Sequence, residues 1–158
     1  MAKVFDFIAT VSVIVKCQNK YLFVEEINKE GKHIFNTPAG HLEGHESPLE
    51  GAMRELKEES GLTPKNLDGF VGLYSYLKKD YTLLRSCFYL EYQEFPKVCP
   101  NDPDGDIIAT HWFTFDEITK LKNQMRSEMI YDSILDFEKG QRFPLSLLKN
   151  YEHLNDNL

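Results

Sequence analysis

The sequence predicts an α+β fold, a sandwich that combines a mixed β-sheet with a few α-helices. Three observations support this prediction. The 158 residues are enough for one domain with its own hydrophobic core. Short runs rich in β-branched and aromatic residues are separated by turn residues, which is typical of strands. The helical segments do not alternate regularly with these runs, so a parallel βαβ arrangement is not favoured.

The first quarter of the chain is predicted to form three strands. Phe7–Lys16 and Tyr21–Ile27 are rich in β-branched and aromatic residues, and the polar segment Gln18–Lys20 separates them, which is typical of a β-hairpin. A third, short strand is expected at His33–Asn36. The Thr-Pro-Ala-Gly segment at 37–40 breaks this pattern, so we expect the extended structure to end there.

The clearest element of the sequence is a helix over Ser47–Ser60. Its apolar residues recur at i, i+3, i+4 and i+7, which places them on one face: Leu49, Ala52, Met53 and Leu56. Ser47 is predicted to cap the first turn, Pro48 suits the first helical position, and Glu50 would complete a capping box. Gly61 is the kind of residue that ends a helix.

The rest of the chain is predicted to contain further strands, a loop and two helices. We expect strands at Phe70–Leu77, Leu83–Tyr92 and Ile107–Phe115, a loop at Pro96–Gly105, and helices at Asp116–Lys122 and Ser127–Lys139. The segment after Arg142 favours no particular element. No repeat or linker divides the sequence, so residues 1–158 are expected to form a single domain.

The charge of the chain limits its partners. Its formal net charge is −7, so it has no general attraction to nucleic acid or to an anionic membrane, and we expect neither as a partner. An anionic phosphate substrate would have to be held by local positive charge, such as a bound cation. The sequence shows neither a signal peptide nor a stretch that could span a bilayer, so the cytoplasm is the expected location.

The three cysteines predict neither a disulfide framework nor a zinc site. Their number is odd, and no two of them are spaced as Cys-x-x-Cys. Cys17 and Cys87 lie in apolar, strand-like runs, where a free cysteine usually packs as a small core residue.

Three carboxylates and a guanidinium occur together near the end of the predicted helix. Glu55, Glu58 and Glu59 are spaced i, i+3 and i+4, so they share the face opposite the apolar stripe. A divalent cation would relieve their repulsion, and carboxylates without nearby Cys or His favour a hard ion, Mg²⁺ or Mn²⁺. Arg54 can hold one of these carboxylates by paired hydrogen bonds. A solvated acidic surface is the simpler alternative for a glutamate-rich helix.

The stretch 40–62, which reads GHLEGHESPLEGAMRELKEESGL, resembles the Nudix box. That signature is G-x5-E-x7-R-E-U-x-E-E-x-G-U, where U is a bulky aliphatic residue, and it is far more specific than a short glycine motif. Its fixed positions are matched by Gly40, Glu46, Arg54, Glu55, Leu56, Glu58, Glu59, Gly61 and Leu62. The resemblance implies the Nudix fold, a mixed sheet between helices with the box as loop–helix–loop. It also implies hydrolysis of a nucleoside diphosphate linked to another group.

The resemblance implies roles for individual residues. The metal would be held by three carboxylates and a backbone carbonyl: Glu55, Glu58, Glu59 and Ala39. The catalytic residues would be two of these carboxylates and the neighbouring arginine: Glu58, Glu55 and Arg54. The loop and the helix would be organised by Gly40, Glu46 and Gly61. Metal ions at such a site neutralise phosphate charge and activate a water molecule.

The general base is left open, because Nudix enzymes differ in the residue that takes the proton. A box carboxylate is one candidate. Asp104 and Asp106, in the loop before the strand of Trp112, are others, although their Asp-Gly-Asp pattern is also typical of a plain turn.

Segments outside the box are similar to one bacterial phosphatase branch of the Nudix family. They are Val24–Glu26, Phe35–Glu43, Leu84–Arg85, Asp106–Ile107 with Trp112 downstream, and Gly140–Leu145. The similarity implies release of inorganic phosphate from nucleoside tri- and diphosphates, and action on thiamine pyrophosphate and hydroxymethylpyrimidine diphosphate. Phe35 departs from the branch at a position where a Trp would stack on a substrate ring.

Three residues are candidates for substrate binding, and each has a structural alternative. Phe35 could stack on a base or belong to the core. Arg85 could bind a phosphate oxygen or be a charge at a strand edge. His41 could donate to phosphate or be only a turn residue. Structural roles are expected for Tyr74, Tyr76 and Arg142.

Two other functions remain open. A different Nudix activity would cleave ADP-ribose, a dinucleoside polyphosphate or a coenzyme A diphosphate, and would release a nucleoside monophosphate rather than orthophosphate. A non-catalytic nucleotide-sensing domain is the alternative from another class, because a fold alone does not fix a function. Such domains usually lose box glutamates, and here all are present. The expected partner is a small nucleotide or pyrophosphate, and the expected state is a monomer.

Overall fold

The structure, a computed structural model, describes residues 6–152. These residues form a seven-stranded mixed sheet with helices on both faces, which confirms the predicted α+β class. The strands are β1 (Asp6–Cys17), β2 (Lys20–Ile27), β3 (His33–Asn36), β4 (Ala39–His41), β5 (Gly69–Leu77), β6 (Tyr81–Tyr92) and β7 (Ile107–Thr114). The helices are α1 (Pro48–Ser60), α2 (Phe115–Lys120) and α3 (Glu128–Glu138), with single 3-10 turns at Lys122–Gln124 and Leu145–Leu147.

The sheet is built around one parallel pair, β1 and β6. These strands pair over their whole length, from Asp6 opposite Tyr81 to Cys17 opposite Tyr92. The remaining pairs are antiparallel: β5 with β6, β1 with β2 and β4, and β2 with β3 and β7. The predicted hairpin of β1 and β2 is therefore present. Its turn includes Gln18, whose φ of 55° is positive.

The strands β1 and β2 separate soon after their hairpin turn. Paired residues are found only at Lys16–Tyr21 and Cys17–Lys20. Beyond them, β1 pairs with β4 and β2 pairs with β3, so the β3–β4 connection spans the gap between the two strands. The expectation that extended structure ends at 37–40 was wrong for Ala39–His41. Pro38 does interrupt the run, but the free edge of β1 supplies new hydrogen-bond partners directly after it.

Helices α1 and α3 cover opposite faces of the sheet. Alternate residues of β1 point to opposite faces, so Val13 packs under α1 and Ile14 packs under α3. On the α1 side, Ala52 and Leu56 are fully buried. The α3 side is filled by Tyr21, Phe23, Ile130, Ile134 and Phe137. Cys17 and Cys87 are buried free thiols, as predicted, whereas Cys99 is exposed.

The ends of α1 follow the sequence prediction with one exception. The Ser47 hydroxyl accepts a hydrogen bond from the Glu50 backbone N–H at 3.2 Å, and Gly61 adopts the left-handed conformation with φ 75°. The contacts described for this helix include only the Ser47 half of the predicted capping box. A complete box is present at α2, where Thr114 and Glu117 exchange both bonds. The α1 helix is therefore fixed at both ends.

The two C-terminal helices correspond to the predicted ones, each with slightly different ends. No helix within residues 6–152 is long and apolar enough to cross a membrane. Residues 153–158 belong to the tail whose role the sequence leaves open, and they lie outside the described part of the chain.

Candidate active site

A cleft of about 930 Å³ opens where β1 and β2 separate. Five parts of the chain contribute its lining: the strands β1, β2 and β3 at Ile8, Thr10, Glu26 and Asn36, the acidic face of α1 with β4, the loop 102–107, the β5–β6 hairpin, and the segment 122–129. A volume of this size is within the range of ligand pockets that hold a nucleotide-sized molecule. The cleft also contains every residue predicted to hold a metal: Glu55, Glu58, Glu59 and Ala39.

Arg54 organises the acidic face by contacting several carboxylates. Its Nε and Nη2 donate to the two oxygens of Glu46 at 2.6 and 3.1 Å, a bidentate pair. Its Nη1 donates to Glu55 Oε1 at 2.7 Å and to Glu58 Oε2 at 3.3 Å, and Nη2 also donates to the His41 carbonyl at 2.9 Å. The guanidinium therefore ties the loop 41–46 to the helix.

The charges of this network reinforce one another. The hydrogen bonds from Arg54 hold the pKa of Glu46 below its usual range, and the carboxylates raise the pKa of Arg54. Burial has the opposite effect on Glu55, whose pKa is raised although Arg54 partly offsets the shift. The Glu46 carboxylate also accepts from the Glu43 backbone N–H at 2.9 Å. These contacts support the loop-organising role predicted for Glu46.

Two glycines of the box stand where a side chain would collide. A Cβ on Gly40 would overlap the Glu55 carboxylate, so β4 can approach α1 only with glycine at this position. A Cβ on Gly61 would overlap the Cys99 carbonyl oxygen, and the positive φ at Gly61 would strain any other residue. Both glycines thus permit close backbone packing beside the acidic face.

Glu59 is a buried carboxylate with little to compensate its charge. It is 7% exposed and accepts one hydrogen bond, from the Ala39 backbone N–H at 3.2 Å. Burial first, and then the nearby carboxylates of Glu55, Glu26 and Asp102, raise the pKa of Glu59 to about 9 in spite of the hydrogen bond from Ala39. A divalent cation would offset this cost. The oxygen-only donor set around Glu59 therefore fits a hard cation such as Mg²⁺ or Mn²⁺.

The three carboxylates are not yet arranged around a single point. Within residues 6–152, no three His, Cys, Asp or Glu side chains converge as metal ligands. The contacts described above account for this, because Arg54 draws Glu55 and Glu58 toward itself while Glu59 faces Ala39. Arg54 contacts one oxygen of Glu55 and one of Glu58, so the described contacts leave the second oxygen of each carboxylate for a cation.

Phe35 lies in the core rather than in the cleft. It is 8% exposed and makes edge-to-face contacts with His111 and Phe113, at centroid distances of 5.7 and 5.4 Å. Its backbone also bridges to Met125. This placement agrees with the core alternative, because a ring enclosed on the α3 side of the sheet cannot stack on a substrate in the cleft.

Arg85 also lies in the protein interior, so it is neither a charge at a strand edge nor exposed to a phosphate in the cleft. It lies on β6, a central strand, and is 6% exposed. Its Nη2 donates to Asn36 Oδ1 and to Thr37 Oγ1, both at 3.1 Å. Burial lowers the pKa of its guanidinium. Arg85 therefore supports the β3–β4 connection from inside, instead of reaching a phosphate at the cleft surface.

His41 and the aspartates of the loop 102–107 do reach the cleft. His41 is exposed, and its carbonyl rather than its ring contacts Arg54. Asp104 and Asp106 are exposed at the cleft wall. The turn that carries them is organised by Asp102, whose carboxylate accepts from the backbone N–H groups of Asp104, Asp106 and Ile107. Asp104 and Asp106 thus remain candidates for the general base.

The residues expected to be structural divide into two groups. The Tyr74 hydroxyl donates to Asp136 at 2.7 Å, and Arg142 donates to the carbonyl of Phe137 and to Glu91, so both anchor the end of α3. Tyr76 differs, because its side chain lines the cleft.

Comparison with known proteins identifies the family. The family model of the NUDIX domain matches residues 6–132. This chain belongs to the Nudix family. It is 38% identical over 145 residues to phosphatase NudJ of Shigella boydii serotype 4 (strain Sb227), and 37% identical over 145 residues to phosphatase NudJ of Escherichia coli (strain K12). Each alignment covers 90% of both chains.

A solved structure supports the same assignment. A NUDIX hydrolase from Nitrosomonas europaea superimposes with a TM-score of 0.79 and 32% identity, covering 92% of this chain and 98% of the other. The protein is thus a Nudix phosphohydrolase that acts on pyrophosphates of the nucleotide type. Nudix hydrolases generally use divalent metal ions.

Several residues of the Nudix cleft were not singled out as site residues from the sequence. Glu26 and Arg126 form an ion pair of 2.6 Å at the cleft wall, and Tyr76, Tyr81 and Asp102 line the same space. Only Glu26 carries a recognisable signal, because it is an acidic residue on the same side of its strand as the apolar Leu22 and Val24. The others come from distant segments that only the fold brings together.

Proposed function

We propose that this Nudix hydrolase removes the terminal phosphate from nucleoside di- and triphosphates and from thiamine-type pyrophosphates, including hydroxymethylpyrimidine diphosphate. The reaction would depend on Mg²⁺, with Mn²⁺ as a possible substitute, and would release orthophosphate. The observation that carries this proposal is the set of oxygen donors that α1 and β4 present to one cleft. The phosphatase name of relatives at 37–38% identity supports the choice of terminal phosphates.

The residues of the Nudix box would have different roles in this reaction. Glu55, Glu58, Glu59 and the Ala39 carbonyl would hold the metal, which when bound neutralises phosphate charge and acidifies water. Arg54 keeps Glu55 and Glu58 in fixed orientations through Nη1. A water oxygen attacks the terminal phosphorus, the bond to the bridging oxygen breaks, and a carboxylate at the cleft takes the water proton.

A second hollow beside the cleft supports a substrate that carries a ring. It has a volume of about 480 Å³ and shares Tyr76, Glu128 and Met129 with the main cleft. Its other lining residues include Tyr74 and Asp132. An aromatic and acidic hollow suits a heteroaromatic ring with amino donors or a positive charge, because such a ring can stack and donate hydrogen bonds. Nucleobases and thiamine-type rings both have these properties.

We propose that the enzyme is a monomer and that it acts in the cytoplasm as the single domain predicted from the sequence. Size-exclusion chromatography with light scattering would give a mass near 18.4 kDa for such a monomer. A mass twice as large would contradict it.

Product analysis tests the proposed reaction. The enzyme is incubated with Mg²⁺ and ADP, ATP, thiamine pyrophosphate, hydroxymethylpyrimidine diphosphate or ADP-ribose, with EDTA as the control. We expect orthophosphate from the first four compounds and none with EDTA. AMP from ADP-ribose without orthophosphate from any compound would keep Nudix chemistry and overturn the phosphatase specificity. Binding without turnover on every compound would favour the nucleotide-sensing alternative.

A further inference from the structure

The main cleft is rich in negative charge, which an anionic substrate must overcome. Its lining includes nine carboxylates: Glu26, Glu43, Glu55, Glu58, Glu59, Asp102, Asp104, Asp106 and Glu128. A metal ion held by Glu55, Glu58 and Glu59 of α1 would neutralise part of this charge. The remaining phosphate oxygens require a cationic partner elsewhere in the cleft.

Four Lys or Arg side chains belong to the described lining. Three of them contact box carboxylates or tyrosine rings. Arg54 is occupied by carboxylates of the box. The Lys78 ammonium lies over the Tyr76 ring at 4.0 Å, and the Lys122 ammonium lies over the Tyr131 ring at 4.6 Å. The fourth is Arg126, and its environment differs from theirs.

Arg126 is fixed in position and still open to the cleft. Its backbone N–H donates to the Phe35 carbonyl at 2.9 Å, which ties this segment to β3. Its Nη1 donates to Glu26 Oε2 at 2.6 Å. The side chain is nevertheless 57% exposed, and it belongs to the lining of the cleft. A guanidinium has five N–H donors in a rigid fork, and this geometry matches the oxygens of a phosphate.

Glu26 explains why Arg126 holds this orientation. The Glu26 residue is 7% exposed at the end of β2, and a buried carboxylate without a partner would be costly. An ion pair with one exposed partner adds little net stability, so the main effect of this pair is to restrict the guanidinium to one orientation. A side chain that is ordered before binding loses less entropy when the ligand arrives.

We propose that Arg126, oriented by Glu26, binds the non-bridging oxygens of the substrate's diphosphate from the wall formed by segment 122–129. Arg126 is then a substrate-binding residue that lies 64 positions beyond the last box position, Leu62. Glu26 is its positioning residue. The inference rests on the proposed function, because it assumes a substrate with a diphosphate group.

Binding of uncleavable diphosphates by the full chain tests this assignment. Titration calorimetry with Mg²⁺ compares two probes, methylenediphosphonate, which has no ring, and α,β-methylene-ADP. We expect Arg126→Met to weaken both probes about tenfold or more, because a charge-assisted hydrogen-bond pair is lost. Arg126→Lys should fall between Arg126→Met and the wild type. Lys120→Met, which removes one exposed positive charge from α2 outside the cleft lining, should change neither affinity by more than about twofold.

Loss of the Glu26 partner could unfold the Arg126→Met variant, so a double variant is needed. Glu26→Gln with Arg126→Met removes the buried charge as well, and it should remain folded and still bind both probes weakly. Unchanged affinity in the double variant, an equal loss in Lys120→Met, or an effect confined to α,β-methylene-ADP would overturn the proposal. So would a wild type that binds neither probe.

Probe binding tests the role of Arg126, whereas orthophosphate release tests the proposed function, so the two can fail independently. Probe binding requires no turnover, so a wild type that releases no orthophosphate from ADP but shows the expected binding pattern would overturn only the phosphatase assignment. Orthophosphate release with full probe affinity in Arg126→Met would overturn only the role of Arg126.

Discussion

Arg85 shows how a single interior residue can support the site without contacting a substrate. Its bonds to Asn36 and Thr37 fix the chain just before Ala39, whose N–H in turn holds the Glu59 carboxylate. The guanidinium thus stabilises the shape of the carboxylate end of the cleft.

Replacement of Arg85 should therefore reduce stability before it changes substrate affinity. Arg85→Met leaves two buried acceptors without their donor, and we expect a loss of roughly 1–3 kcal/mol in the free energy of unfolding. Urea denaturation measures this loss, with the exposed Lys79→Met as a control for the lost charge. A raised KM with unchanged stability would instead show that Arg85 contacts the substrate.

The site residues differ in how well their roles could be predicted from the sequence. Glu55, Glu58 and Glu59 could be assigned to one face because helical spacing alone fixes their directions. Phe35 and Arg85 could not be placed, because the exposure of a strand residue depends on which strands and helices cover it. Arg126 belongs to a segment without regular periodicity, so its approach to Glu26, 100 residues away, has no local signal.

The C-terminal end of α1 depends on a loop that packs against its last turn. The Cys99 N–H donates to the Ser60 carbonyl, and the Asn101 N–H donates to the Glu58 carbonyl, at 2.8 and 2.9 Å. These bonds satisfy helix carbonyls that would otherwise lack partners, and they bring Asp102 to the cleft. Gly61 allows this approach because it has no Cβ.

Alanine substitutions at Gly61 and Gly31 should distinguish the cost of backbone strain from the cost of a steric collision. Gly61→Ala combines a positive φ with an overlap on the Cys99 carbonyl, whereas Gly31→Ala has the same φ of 75° with open space around it. We expect Gly31→Ala to cost about 1 kcal/mol in the free energy of unfolding, and Gly61→Ala to cost clearly more. Equal losses in chemical denaturation would show that the loop moves away without cost.

The strands β2, β3 and β7 are linked by a carboxylate between two imidazoles. Glu25 contacts His111 Nε2 at 2.7 Å and His33 Nδ1 at 2.6 Å, and these hydrogen bonds, that of His111 first, hold the pKa of Glu25 below its usual 4.5. A carboxyl with a lowered pKa stabilises the fold above its unfolded value, and this contribution is lost as the pH falls through the folded value.

The contribution of Glu25 to the stability of the fold should therefore decrease as the pH becomes acidic. We expect the difference in melting temperature between wild type and Glu25→Gln to be largest near neutral pH and to shrink below about pH 4.5. The exposed Glu30→Gln serves as the charge control. A difference that stays constant from neutral to acid pH would contradict the assigned pairing.

At the scale of the whole molecule, the cleft results from strand topology. The chain crosses from β2 to β1 through the β3–β4 connection, and this crossing places Ala39 and Gly40 directly beside the acidic face of α1. Local patterns predict strands and helices, but the parallel pairing of β1 and β6 joins residues about 75 positions apart. Such pairing is decided by the packing of the whole core, so the sequence alone did not reveal it.

We propose that the acidic face of α1 performs metal-dependent hydrolysis. The most direct test is the rate of orthophosphate release from ADP over a range of Mg²⁺ concentrations. It compares the wild type with Glu58→Gln and with Glu50→Gln, an exposed carboxylate in the first turn of the same helix. We predict that Glu58→Gln lowers the Mg²⁺-dependent rate by about 100-fold or more, while Glu50→Gln stays within about twofold of the wild type. A Glu58→Gln variant with an unchanged rate, or turnover that does not need a divalent metal, would contradict the account.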